Sequence, residues 1–144
     1  MHRYGDGVQI ISALFAENID LRQVDGPSTR IDLTGIMFSF ASPTPPPVTV
    51  EPHLIALIHC PPDGDGSGVF EVTVTRDPDP ATVTDAEPIA RNVAPFAVEP
   101  GRFTYRLVRA EIVFDEPGTV YAHCRIGHGA VTTVPLTLLD TAVS

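Results

Sequence analysis

The sequence predicts an all-β protein built as an antiparallel sandwich, and three observations predict it. Apolar residues recur with period two along most of the chain, the pattern of strands with one face in a core. Fifteen prolines and eleven glycines fall mostly between those stretches, where they make turns. No segment carries the 3.6-residue apolar period of an amphipathic helix.

Taken in order, residues 8–17 open a first strand, and Asp25-Gly26-Pro27 turns the chain. Residues 30–41 form a second, in which Ile36, Phe38 and Phe40 alternate and Gly35 marks a bulge or kink. The prolines of 43–47 break the chain. Residues 54–60 are almost continuously apolar, which predicts a central strand covered on both faces. In 69–76, Phe70, Val72 and Val74 point inward, while Glu71, Thr73 and Thr75 point outward. Residues 77–87 are a polar loop, and 89–98 a weak strand.

Residues 103–114 carry two apolar phases, Phe103/Tyr105/Leu107 and then Ala110/Ile112/Phe114. A bulge or a change of sheet near Val108 accounts for the slip. Pro117-Gly118 turns into 119–126, where Val120, Ala122, Cys124 and Ile126 share a face. Gly127-His128-Gly129 closes a hairpin into 130–139, with Thr132, Val134, Leu136 and Leu138 inward. The whole reads as an antiparallel immunoglobulin-like β-sandwich of seven to nine strands in a single domain spanning 1–144, with flexible ends at 1–7 and 140–144.

Composition sets limits on partners. The net charge is −9, and all nine basic residues are arginine. An acidic surface repels phosphates, so nucleic acid and anionic membranes are not expected partners. The absence of lysine removes Schiff-base chemistry. No apolar run approaches the roughly 20 residues that span a bilayer. The first seven residues are too polar to lead a secretory signal, which places the expected location in the cytoplasm. There, Cys60 and Cys124 are expected as buried thiols.

A strand leads into Val24-Asp25-Gly26, and a second ends in Gly35-Ile36-Met37-Phe38. A proline-containing break follows, and the chain closes with Pro117-Gly118-Thr119-Val120-Tyr121 and Val134-Pro135-Leu136. This order resembles a family of short, stand-alone bacterial β-sandwich proteins of unknown function. The resemblance covers most of the chain and rests on turn and core residues, so it implies a fold and no catalytic residues. Tyr121 before Cys124 also resembles the tyrosine corner of immunoglobulin domains. The spacing is one residue longer, and tryptophan is absent.

The motifs that suggest chemistry are few. Pro61-Pro62-Asp63-Gly64-Asp65-Gly66-Ser67-Gly68 opens like a calcium loop, with Asp63 and Asp65 as ligands. Counting from Asp63, the twelfth position is Val74 where a bidentate glutamate is needed, and the flanks are strands rather than helices. A looser calcium site would have to recruit Asp77, Asp79 or Asp85 from the far end of a strand. A flexible turn is the favoured reading.

His59-Cys60 and His123-Cys124 pair imidazole with thiol, but strand alternation sends neighbours to opposite faces. His59 and His123 could share a metal only from neighbouring strands in register. Ser42-Pro43-Thr44-Pro45-Pro46-Pro47 favours polyproline II. Arg102, Arg106 and Arg109 could form an exposed basic stripe.

No Ser/His/Asp order, phosphate loop or dinucleotide fingerprint is present. The expected function is therefore non-enzymatic, with no cofactor. It is a binding or assembly module that joins a protein partner or a second copy through a sheet face or edge strand. Ile55, Leu57, Phe38 and Arg106 are the expected contact residues. A metal or small-ligand site around His59 and His123 is the alternative, and a calcium-stabilised surface domain the weaker one.

Overall fold

The computed structural model describes residues 7–24, 29–80 and 88–140. Among these, every regular element but one isolated 3₁₀ residue is β, and no helix is long and apolar enough to cross a membrane. Eleven strands are found: β1 (Gln9–Gln23), β2 (Thr29–Met37), β3 (Ser39–Phe40), β4 (Val48–Val50), β5 (His53–His59), β6 (Ser67–Thr75), β7 (Ala90–Ala97), β8 (Phe103–Arg109), β9 (Ile112–Phe114), β10 (Gly118–Ile126) and β11 (Thr132–Leu138). β3, β4 and β9 are only two or three residues long.

The strands form a four-stranded sheet A, ordered β2-β1-β5-β8, and a five-stranded sheet B, ordered β3-β11-β10-β6-β7. β4 and β9 make a two-stranded third sheet. All pairings are antiparallel except that of β3 with β11. Alternation explains the shared core. Sheet A contributes Ala13, Phe15, Leu54, Ala56, Ile58 and Val108, and sheet B contributes Phe70, Val72, Val74, Val120, Ala122, Cys124, Leu136 and Leu138. Val48, Ile112 and Phe114 of the third sheet complete the cluster.

The two apolar phases of 103–114 belong to two sheets. β8 ends at Arg109 in sheet A, and β9 begins at Ile112 in the third sheet. β5 lies between β1 and β8, a central place that fits its near-continuous apolar run. Gly35 has φ 67° and lies opposite Glu17, yet the β1–β2 register is the same on both sides of it, so it kinks the strand without slipping it. The bulge falls in β1 instead, between Ile10 and Ser12.

β1 runs six residues past the end expected at Glu17. Its second half alternates Ile19 and Leu21 with Asn18, Asp20 and Arg22 and pairs with β2 as far as Gln23. The turn expected at Asp25-Gly26-Pro27 lies outside the described residues.

Candidate functional site

The candidate site is the outer face of sheet A, on the side away from the core. Cross-strand neighbours share a face, so the register lays out rows across the sheet. Leu14, Ile55 and Leu107 form one row, and Ser12, Leu57 and Tyr105 the next. Gln9, His59 and Phe103 lie beyond them on one side, and Ile36, Ala16, His53 and Arg109 on the other.

Ile55 is only 2% exposed and Ala16 is fully buried, yet neither belongs to the shared core. Both are therefore buried on the outer phase of their strands. Its rim is open: Leu107 is 40% exposed and Phe103 65%. The Phe103 ring leans on His59, with centroids 4.8 Å apart. No carboxylate stands in these rows, although the chain carries 18 acidic residues. Apolar side chains at this density, free of acid, are what a protein surface needs to exclude water against another surface.

Of the four expected contact residues, Ile55 and Leu57 lie in the centre of this face. Phe38 lies apart, 74% exposed between β2 and β3, where the chain crosses from sheet A to sheet B. Arg106 sits opposite Ala56 on the core-facing side. Its guanidinium lies 5.7 Å from the Phe96 ring centroid, and its Nη2 donates to the Pro95 carbonyl at 2.9 Å. The charge therefore reaches out between the edges of the two sheets instead of forming an outer stripe, because its alkyl stem can lie on the core while its head stays polar.

The structure places His59 and His123 on different sheets, so they are not neighbours. His59 is on the outer face of sheet A. His123 is on β10 in sheet B, 3% exposed and fully bonded. Its Nε2 lies 3.0 Å from the Asp77 carbonyl and 3.0 Å from Thr75 Oγ1, and its Nδ1 lies 3.1 Å from Thr133 Oγ1. A carbonyl only accepts, so Nε2 donates to it, while the Thr133 hydroxyl partners Nδ1. The Thr75 hydroxyl also donates to the Asp77 carbonyl. Thr73 and Thr75, on the outward phase of β6, are nevertheless buried. No group of three or more His, Cys, Asp or Glu side chains among the described residues is placed to hold a metal ion.

Asp65 closes its own loop. Its Oδ1 accepts from the Ser67 amide at 3.1 Å and the Ser67 hydroxyl at 3.0 Å, and these bonds hold its carboxyl below the usual carboxylate range. Asp63 precedes it in the same turn. Asp77 lies beyond the other end of β6, where its carboxylate accepts from the Asp79 amide at 2.8 Å. Asp85 lies outside the described residues. Beside the Asp65 loop, an open cleft of about 950 Å³ is lined by Val8, Ile10, Ile126, His128 and Thr132.

Cys60 and Cys124 are both buried free thiols. Burial pushes the Cys124 thiol up to about 12, so it stays protonated and unreactive. The proline run borders a groove of about 230 Å³ together with Pro117 and Leu138.

Against known proteins, the chain matches no family model, and no curated protein matches it.

Proposed function

We propose that this chain is a non-enzymatic β-sandwich of the immunoglobulin-like kind that acts as a binding or assembly module through the outer face of sheet A. The observation that carries the reading is the pair of rows Leu14–Ile55–Leu107 and Ser12–Leu57–Tyr105. They bury Ile55 outside the core and leave an uncharged apolar surface on an acidic protein. Two sheets with one core between them support the sandwich. Covering an apolar face is favourable by about 25 cal/mol per Å² removed from water, so a face of this kind gains from a second layer.

Light scattering after size exclusion, over a concentration series with and without zinc, tests the reading. A dimer or larger particle is expected in both conditions. Leu57→Asp together with Leu107→Asp should remove the contact made by the outer face and give a folded particle smaller than the wild type. A wild-type monomer throughout would overturn the reading. A particle that changes only with zinc would move the function to metal binding.

A further inference from the structure

The β1–β2 hairpin outruns its sheet. β5 pairs with β1 only from Gln9 to Ala16, whereas β2 follows β1 to Gln23. Residues 17–23 and 29–35 therefore form a two-stranded arm, roughly 23 Å long at about 3.3 Å per residue. Ile19 opposite Leu33 and Leu21 opposite Ile31 continue the core face of Phe15 and Met37, while Asp20, Arg22, Arg30 and Asp32 lie on the other face. None of the arm side chains described is buried. A two-stranded hairpin alone is marginal in water and gains stability from further strands.

The arm's charges suit a lone hairpin poorly. Asp20 lies directly opposite Asp32, and Arg22 directly opposite Arg30, and like charges in that position repel. Arg22 turns diagonally to Asp32, donating through Nε and Nη2 to its two carboxylate oxygens. That leaves Arg30 without an ion pair among the described residues, in a protein with twice as many acids as bases.

Open sheet edges invite pairing. Besides the β1 side of the arm, sheets A and B have four outermost strands among the described residues, and three of these are limited or blocked. β7 contains Pro95, and Arg106 laces β8 to it. β3 is two residues long. β2 is a nine-residue edge with neither proline nor lysine.

We propose that two copies of this chain pair through β2, antiparallel about a two-fold axis at Ile31. In this register Arg30 stands opposite the partner's Asp32, and Asp32 opposite the partner's Arg30. An axis one residue either way would set Arg30 against its own copy, or Asp32 against its own copy. The pairing turns two marginal arms into one four-stranded ribbon, with Ile19, Leu21, Ile31 and Leu33 from both copies on one face. It rests on the assembly reading only in requiring self-association, and it uses a different surface from the outer face.

Ile31→Cys tests the axis directly. Paired residues lie about 4.5–5.5 Å apart at Cα, within disulfide reach, and the native thiols are buried. Mild oxidation should give a covalent dimer with Ile31→Cys and none with Thr34→Cys. Arg30→Asp should weaken the dimer about tenfold, and Arg30→Asp with Asp32→Arg should restore it. Arg30→Asp also removes the repulsion from Arg22 within the chain, so a weaker dimer cannot be ascribed to a weaker arm. Failure of Ile31→Cys to cross-link, or a dimer unchanged by Arg30→Asp, overturns the pairing. If Leu57→Asp then abolishes that dimer, the outer-face reading survives. A wild-type monomer at every concentration overturns both.

Discussion

At the scale of single residues, the polar groups of sheet B's outer face are organised around two side chains, His123 and Glu71. His123 satisfies the Asp77 carbonyl and the Thr133 hydroxyl with opposite ring nitrogens. His123→Phe keeps the ring but removes both bonds. The Asp77 carbonyl keeps the Thr75 hydroxyl and Thr133 is exposed, so the loss is the net worth of the hydrogen bonds, about 1 kcal/mol. We expect that loss to appear as a lower urea midpoint at unchanged slope. Glu71 is held below its ordinary value of 4.5, first by the Arg91 hydrogen bond and then by Arg125. A carboxyl whose folded value is depressed stabilises above its unfolded value, and loses that contribution as pH falls through the folded one. Its side chain is 18% exposed, but Arg91 is largely open, so solvent screening keeps the gain to about 1 kcal/mol. Wild type minus Glu71→Gln should therefore give a stability difference that is flat at neutral pH and shrinks below about pH 4.5.

At the scale of elements, two glycines separate backbone necessity from side-chain convenience. A Cβ on Gly35 would meet the end of the Glu17 side chain, which can swing away, leaving the strain of φ 67°. A Cβ on Gly66 would lie 1.6 Å from the Val98 carbonyl oxygen, which is backbone, at the point where the Val98 amide donates to the Gly66 carbonyl. Gly35→Ala should cost about 1–2 kcal/mol and Gly66→Ala about 3 kcal/mol by overpacking, an order that thermal unfolding can read. Gly35 was legible in the sequence as a kink, whereas Gly66 was not, because it looked like one more residue of a flexible turn. The same contrast runs through the fold. Phe70/Val72/Val74 and the change of sheet after Arg109 follow from alternation alone, which reports the face of each residue. Alternation does not report what covers that face, so Thr73 and Thr75 read as outward and turned out buried. Nor does it report which sheet a strand joins, and this is why His59 and His123 could be imagined as neighbours. Ile55 and Leu57 were legible because their strand is apolar on both faces. The arm was missed because Asn18, Asp20 and Arg22 masked the alternation of Ile19 and Leu21.

At the scale of the whole molecule, net charge decides how any self-association responds to salt. Two copies carrying −9 each, with centres about 30 Å apart, repel by on the order of 10 kcal/mol in unscreened water. At about 0.01 M salt the Debye length is about 30 Å, and roughly 4 kcal/mol of that repulsion remains. At about 0.1 M the length is about 10 Å, and only about 0.5 kcal/mol remains. Exposed pairs such as Arg30 with the partner's Asp32 contribute about 0.2–1 kcal/mol each, so screening them removes less than screening the global repulsion restores. The apolar rows of the outer face carry no acid to screen. Dimer formation should therefore tighten by about a hundredfold between about 0.01 and 0.1 M salt. Sedimentation velocity across that range checks the sign. Weakening over the range would mean that local ion pairs dominate the contact and that neither apolar surface is buried in it.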